Sequence, residues 1–127
     1  METEEVQVLV VDDNEAFLEA VCAWITEQPG LALTGTARDG ADAVEATARL
    51  QPDLVLMDAF MPGMDGFEAT RQVKAVSDSP RIVMVSLYDD DAVRSRCRSA
   101  GADGFVPKTV LTERLPELLR LLDESAG

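Results

Sequence analysis

The sequence contains no histidine and only two cysteines among its 127 residues. Histidine is the usual general base and the commonest side-chain metal ligand, so neither role can be filled in that way here. Cys22 and Cys97 fit no disulfide framework and no metal-binding spacing, and we interpret them as reduced, partly buried thiols. Any reaction of this chain must therefore use carboxylates, hydroxyls and lysine.

Basic residues are also scarce, with 11 lysines and arginines against 24 acidic residues and a formal net charge of -13. A surface of this charge repels the phosphates of nucleic acids and of anionic membranes. We therefore expect no direct binding to nucleic acid or to a membrane.

Long apolar runs are absent as well, since none approaches the ~20 residues of a membrane span. Residues 1–5 are acidic where a secretory signal would be basic, so we expect a cytoplasmic protein. No repeat, low-complexity tract or linker interrupts the chain. We predict one domain at 6–122, with flexible termini at 1–5 and 123–127.

Short apolar segments alternate along the chain with segments of helical spacing, such as Phe17, Val21 and Ile25. The first, third and fourth apolar segments are almost continuous, which is typical of parallel strands with helices on both faces. The pattern predicts a doubly wound (βα)5 fold, a flavodoxin-like three-layer α/β sandwich with a five-stranded parallel sheet. The predicted strands lie at 6–11, 31–34, 54–57, 82–87 and 104–106.

Pro116 affects the predicted position of the fifth helix. Proline is tolerated best in the first turn of a helix, where its missing N–H has no partner to lose. We therefore expect this helix to begin between Thr112 and Leu115 and to end near Leu122.

Polar side chains lie at the ends of four of the five predicted strands: Asp12 and Asp13, then Asp58, Ser86 and Lys108. The carboxyl ends of parallel strands meet at one edge of a sheet, where ligands of such folds bind. Three carboxylates gathered there would raise one another's pKa unless a cation neutralised them. Mg2+ is the natural candidate, because it takes one or two carboxylates together with phosphate oxygens. The pattern indicates a site for phosphoryl transfer.

Taken singly, each of these residues has an ordinary structural explanation. An acidic pair before Asn14 is typical of a helix N-terminus, and an aspartate after a buried strand often begins a turn. The joint pattern favours function, because four separate strand ends supply groups that bind metal or phosphate.

Several segments resemble the receiver domains of two-component response regulators over essentially the whole predicted domain. Residues 8–14 resemble their first strand with its acidic pair, and residues 53–58 followed by 61–66 resemble the segment around their phosphorylated aspartate. Ser86 matches the hydroxyl position of the family, and residues 101–108 match the segment with its switch aromatic residue and its lysine.

Residues 85–91 look more like the NarL-type branch of this family. Thr109 follows Lys108 where many receivers have a proline with a cis peptide bond, so we expect a trans bond here. Members of this branch usually carry a helix-turn-helix effector domain, and none follows in this sequence. A stand-alone receiver and a piece of a longer regulator both stay open.

The resemblance implies that Asp58 is the phosphoryl acceptor. It implies that Asp13, Asp58 and the backbone carbonyl of Phe60 bind Mg2+ directly, and that Asp12 acts through water. Asp58 would attack the phosphorus of a kinase phosphohistidine or of a small phosphodonor, and Lys108 would pair with the transferred group.

The resemblance further implies a conformational switch. Ser86 would donate a hydrogen bond to the phosphoryl group, and Phe105 would rotate into the space that this movement leaves. Helix 4, strand 5 and helix 5 would form the output face. The expected partners are a sensor histidine kinase or phosphotransfer protein as donor, and an effector domain or target protein as receiver of the signal.

Leu87 is larger than the alanine or glycine that many receivers have beside the hydroxyl, and Phe60 and Tyr88 also lie at the mouth of the expected pocket. Leu87 and Tyr88 add bulk there, so we predict slow loss of phosphate from Asp58. Phe105 lacks the hydroxyl with which a tyrosine could hydrogen-bond a partner. Any switch at this position must therefore act through packing of the ring. Separately, Arg94, Arg96 and Arg98 form a basic group that could meet an acidic patch on an effector or on a second copy of the chain, which would form a homodimer.

Two other functions compete with the phosphoacceptor switch, which is modified and does not turn over a free substrate as an enzyme does. A metal-dependent phosphohydrolase usually has a second acid two residues after its nucleophile, where this chain has Phe60. A phosphorylation-independent interaction module with a receiver fold normally lacks some of the acids or the lysine, and here all are present.

Overall fold

The computed structural model describes residues 5–126 and the side chains of residues 5–123. Its strands and helices alternate along the chain. The strands form one parallel sheet in the order β2-β1-β3-β4-β5, so the sequence prediction of a doubly wound α/β sandwich is confirmed. The elements are β1 (Val6–Val11), α1 (Glu15–Glu27), β2 (Leu31–Ala37), α2 (Gly40–Leu50), β3 (Leu54–Asp58), α3 (Gly66–Val76), β4 (Arg81–Ser86), α4 (Asp91–Ala100), β5 (Gly104–Pro107) and α5 (Leu111–Ala126).

The sheet has a hydrophobic core on each face. Alternate residues of a strand point to opposite faces, so Leu9 and Val11 pack on one side while Val8 and Val10 pack on the other. Helices α2, α3 and α4 cover the first face, and α1 and α5 cover the second. This double coverage explains why β1, β3 and β4 are almost continuously apolar.

Four helices begin with the same capping interaction. A side-chain oxygen of the residue before the helix accepts a hydrogen bond from the backbone N–H three residues later, at 2.8 to 2.9 Å. Such caps satisfy N–H groups that a helix leaves without partners, and they fix where each helix starts at the carboxyl edge of the sheet. The capping residues are Asn14, Asp39, Asp65 and Asp90.

The fifth helix differs from the prediction at both ends. It begins at Leu111, after a 3-10 turn at Lys108–Val110, and it continues to Ala126, so Pro116 lies inside it. Burial of Leu111 and Leu115 against the sheet favours the early start. The cost of an interior proline is limited here, because the carbonyl that loses its partner belongs to the exposed Thr112, where water can reach it.

Other boundaries differ less. Strand β2 runs three residues further than predicted, to Ala37, as an edge strand of only intermediate burial. Residues 1–4 and 127 lie outside the described residues, so the prediction of flexible termini stays a prediction. No helix within residues 5–126 is both long and apolar enough to cross a membrane.

Candidate functional site

Strand register brings the polar strand ends together at the carboxyl edge of the sheet. Val11 pairs with Met57 across β1 and β3, Asp58 with Val85 across β3 and β4, and Ser86 with Pro107 across β4 and β5. Asp58 and Ser86, together with residues that come soon after Val11 and Pro107, line an open cavity of about 310 Å3. The lining residues are Asp13, Asn14, Asp58, Phe60, Ser86, Leu87, Tyr88 and Lys108.

Three carboxylates form a compact acidic cluster at this edge. One oxygen each of Asp12, Asp13 and Asp58 lies within 4.8 Å of the others. Asp12 and Asp58 are buried and Asp13 is exposed. Asp12 Oδ1 accepts a hydrogen bond of 2.8 Å from the backbone of Asn14, which fixes the orientation of its carboxylate.

Lys108 supplies the cation of the cluster. Its ammonium nitrogen lies 2.7 Å from Asp12 Oδ2 and 3.6 Å from Asp58 Oδ1, and it also lies 4.5 Å from the centre of the Phe17 ring. Asp12 Oδ2 is buried and receives no hydrogen bond, so its only partner among the described residues is this ion pair. One lysine is thus shared between two buried carboxylates.

The surroundings raise the pKa of Asp58 from an ordinary value of 3.8 to about 7. Burial is the largest cause, followed by the negative charge of Asp12; a hydrogen bond with the Asp13 side chain also raises the pKa. Lys108 and a backbone hydrogen bond from Phe60 lower it, but by less. Without a further cation, Asp58 keeps a proton at pH values where an isolated aspartate would be ionised, as expected for crowded carboxylates.

The donor set of the cluster fits a small divalent cation. Among the described residues Asp12 Oδ2 has no partner besides Lys108, the three carboxylates lie close together, and Mg2+ prefers oxygen ligands of this kind. Asp12, Asp13, Asp58 and the nearby backbone carbonyl of Phe60 are the groups that could hold it. A bound divalent cation would remove the repulsion that raises the pKa of Asp58.

Ser86 and Phe105 occupy different places relative to this cavity. Ser86 is buried at its wall, and its Oγ accepts a hydrogen bond of 2.9 Å from the backbone of Tyr88, so the hydroxyl proton can be donated to a ligand. Phe105 lies outside the cavity, between α4 and α5, where the guanidinium carbon of Arg94 is 5.0 Å from its ring centre.

Phe60 and Tyr88 form what we call the aromatic lid at the mouth of the cavity. Their rings meet edge to face, with centres 5.5 Å apart and an angle of 86°. Phe60 is 38% exposed and Tyr88 is 61% exposed. Exposed aromatic rings beside a charged cavity limit the directions from which water and partners can approach.

Two contacts of this site could not be predicted from the sequence. Phe67 supports the ring of Phe60 from below, with centres 5.4 Å apart, and Arg96 of α4 lies over Phe67. The first joins the β3–α3 connection to α3, and the second joins α4 to α3. The thiols take no part: both are free, and burial raises the pKa of Cys22 and, to about 11, that of Cys97.

Comparison with known proteins shows the family of this chain. Residues 8–120 match the response regulator receiver domain family, so the chain belongs to that family. It is NarL-like within it: the signal receiver domain of the response regulator NarL from Mycobacterium tuberculosis superposes with a TM-score of 0.85 at 32% identity, covering 98% of each chain.

Two longer proteins show sequence similarity to the chain. It is 35% identical over 115 residues to the response regulator protein VraR of Staphylococcus saprophyticus, which covers 91% of this chain and 55% of VraR. It is 40% identical over 105 residues to protein-glutamate methylesterase/protein-glutamine glutaminase 4 of Geobacter metallireducens, which covers 81% of this chain and 30% of that protein. The chain therefore spans about half or less of these relatives.

Proposed function

We propose that this chain is a phosphorylation switch whose acceptor is Asp58 and whose phosphorylation requires Mg2+. The observation that carries the proposal is the convergence of three carboxylates within 4.8 Å, with one partly buried lysine between two of them, at the carboxyl edge of the sheet. Such an arrangement binds a cation and a phosphoryl group at adjacent places.

Asp58 is the nucleophile in this proposal. Its carboxylate oxygen attacks the phosphorus of a phosphohistidine, the P–N bond breaks, and the imidazole nitrogen leaves with the electron pair and takes up a proton. The carboxylate becomes an acyl phosphate. Attack requires the ionised form of Asp58, which Lys108 favours and which a bound cation favours further.

Asp13, Asp58 and the carbonyl of Phe60 would hold Mg2+ directly, and Asp12 would hold it through water. Mg2+ supplies neutralisation of the charge that develops on the phosphoryl oxygens. Lys108 stands 3.6 Å from Asp58, where it can pair with the transferred group. Ser86 donates its hydroxyl proton to a phosphoryl oxygen.

The rest of the switch follows from these roles. Movement of Ser86 toward the phosphoryl group draws the β4–α4 connection inward, and Phe105 changes its packing between α4 and α5. The output face consists of α4, β5 and α5, and it controls an effector domain or target protein. The donor is a sensor histidine kinase or phosphotransfer protein in the cytoplasm. The chain itself is modified and is not an enzyme acting on a free substrate.

The test is incubation with Mg2+ and a small acyl or amido phosphate, followed by intact mass measurement. We expect the mass of one phosphoryl group to be added, with no addition when EDTA replaces Mg2+. Asp58→Asn should abolish the addition. Asp78→Asn is the matched control, because Asp78 is exposed and precedes β4, at the opposite end of that strand from Ser86.

A different result would redirect the assignment. No mass change in any condition would reject the switch and favour the phosphorylation-independent interaction module. Addition of the phosphoryl group to Asp58→Asn would show that another residue is the acceptor.

A further inference from the structure

Arg96 connects the aromatic lid to helix α4. Its guanidinium carbon lies 3.9 Å from the centre of the Phe67 ring and 5.9 Å from the centre of the Phe60 ring. A terminal nitrogen of the same group lies 3.9 Å from Oδ2 of Asp65, the residue that caps α3. One side chain of α4 therefore contacts the connection that carries Phe60 to the cavity mouth.

Two ring contacts hold Phe60 within the described part of the chain. Phe60 meets Phe67 edge to face at 75° on one side and Tyr88 at 86° on the other. Phe67 is fully buried and gives a fixed base, whereas the two lid rings are partly exposed. Phe67 thus supports the Phe60 ring, and Arg96 packs on the same Phe67 ring.

The aromatic contacts of Arg96 matter more than its ion pair. Arg96 and Asp65 are 54% and 34% exposed and 3.9 Å apart, and ion pairs of this kind contribute little. A planar guanidinium stacked on a ring gains dispersion and cation–π attraction in addition, and lysine cannot reproduce the stacking. Charge and planarity can therefore be separated by substitution.

We propose that Arg96 is a positioning residue that holds the aromatic lid over phosphorylated Asp58 and thereby slows loss of the phosphoryl group. This inference rests on the proposed phosphorylation of Asp58. In that loss, a water oxygen attacks phosphorus and the bond between phosphorus and the Asp58 oxygen breaks. The carboxylate is restored, and inorganic phosphate leaves while the proton of the attacking water passes to solvent. The water must enter at the cavity mouth, where the ring of Phe60 stands.

The lifetime of the acyl phosphate measures this role. Each variant is phosphorylated with acetyl phosphate and Mg2+, the donor is removed, and the loss of phosphate is followed by intact mass. We expect Arg96→Met to shorten the half-life about two- to five-fold, the change that corresponds to one partly exposed cation–π contact. Arg96→Lys should fall between Arg96→Met and the unaltered chain.

Arg98→Met is the matched control. Arg98 is exposed on the same helix and makes no ion pair and no ring contact with the described residues. The control should keep the half-life of the unaltered chain. Equal shortening by Arg96→Met and Arg98→Met would overturn the inference, because loss of positive charge on α4 would then suffice.

A double-mutant cycle tests whether Arg96 acts through the lid. In a Phe60→Ala background the ring that Arg96 positions is gone, so Arg96→Met should produce no further change in half-life. The same shortening in both backgrounds would contradict the proposal, since Arg96 would then act through some other part of the fold.

A readout without phosphorylation separates this inference from the proposed function. The chain has four phenylalanines, so 4-fluorophenylalanine labelling gives four 19F resonances. Arg96→Met should shift those of Phe60 and Phe67 and leave that of Phe17 in place. Failure of every variant to become phosphorylated would overturn the proposed function itself. Unshifted resonances would overturn only the role given to Arg96.

Discussion

The ammonium group of Lys108 lies 2.7 Å from Asp12 Oδ2 and makes the shortest contact between opposite charges within the site. The resemblance to receiver domains implies that this lysine pairs with a phosphoryl group on Asp58, whose Oδ1 lies further away, at 3.6 Å. Both carboxylates are buried, and together they carry more negative charge than one lysine can neutralise. Lys108 therefore stabilises the two buried carboxylates even when Asp58 is not phosphorylated.

Lys108→Met should lower the free energy of unfolding of the metal-free chain by about 2–4 kcal/mol at pH 8, because it leaves two buried carboxylates without a cation. The loss should be smaller at pH 5, where Asp58 can take up a proton instead. Urea denaturation at the two pH values measures both. Arg49→Met, which removes an exposed ion pair with Glu45, is the control and should cost no more than ~0.5 kcal/mol. Equal losses for the two variants would show that Lys108 is not needed to hold the acids together.

The raised pKa of Asp58 predicts an unusual dependence of stability on pH. The folded chain keeps a proton on Asp58 up to about pH 7, whereas the unfolded chain releases it near the ordinary value of 3.8. Because the folded state binds more protons between these values, this group makes the chain less stable as pH rises from about 4 to 7. Asp58→Asn should remove the effect and stabilise the metal-free chain at pH 8 by about 2–4 kcal/mol.

Mg2+ should abolish that gain, since a bound cation relieves the same repulsion in the unaltered chain. Chemical denaturation at pH 5 and pH 8, with EDTA or with Mg2+, gives the four values required. Asp78→Asn should change none of them. An Asp58→Asn chain no more stable than the unaltered one at pH 8 in EDTA would contradict the raised pKa.

The fold was predictable where burial on both faces makes a strand continuously apolar. Strands β1, β3 and β4 meet that condition, and strand-end geometry then placed Asp12, Asp13, Asp58, Ser86 and Lys108 at one edge. Strand β2 lies at the edge of the sheet with intermediate burial, so its last three residues lacked the pattern. The predicted start of α5 was wrong, because burial of Leu111 outweighs the local preference of Pro116 for the first turn of a helix.

Contacts between side chains of distant elements could not be read from the sequence. Arg94, Arg96 and Arg98 looked like one basic group, but residues two apart on a helix point in different directions. Arg94 pairs with Asp89 at 2.6 Å and contacts a ring of β5, whereas Arg96 turns toward α3. The partners of these arginines depend on how separate helices and strands pack, and a local sequence pattern does not predict that packing.

Removal of the aromatic lid should shorten the life of the acyl phosphate. The double substitution Phe60→Asn with Tyr88→Ala opens the cavity mouth, and we expect roughly tenfold faster loss, equivalent to ~1.4 kcal/mol of activation free energy. The loss is followed by intact mass after removal of the donor. Tyr88→Phe keeps the ring that contacts Phe60 and should keep the rate. An unchanged rate in the double variant would show that the lid does not obstruct the attacking water.

Glycine should be required at position 66 because a side chain has no room there, and not because the backbone conformation demands it. A Cβ atom there would lie 2.1 Å from the backbone carbonyl oxygen of Asp58 and 3.0 Å from the Cα of Ala59. Neither backbone atom can move unless the connection that holds Asp58 in the acidic cluster moves too. We therefore expect Gly66→Ala to cost about 1–3 kcal/mol of unfolding free energy and to slow phosphorylation by a small donor.

Gly35→Ala is the control for Gly66→Ala, because it also crowds a neighbouring atom but does so away from the site. Its Cβ would meet the end of the Leu50 side chain at 2.6 Å, a group that can rotate away, at a distance from the site. This variant should lose less stability and should be phosphorylated at the rate of the unaltered chain. If Gly66→Ala matched it in both respects, the connection after β3 could shift without moving the Asp58 carboxylate. The close approach of Gly66 would then serve packing alone.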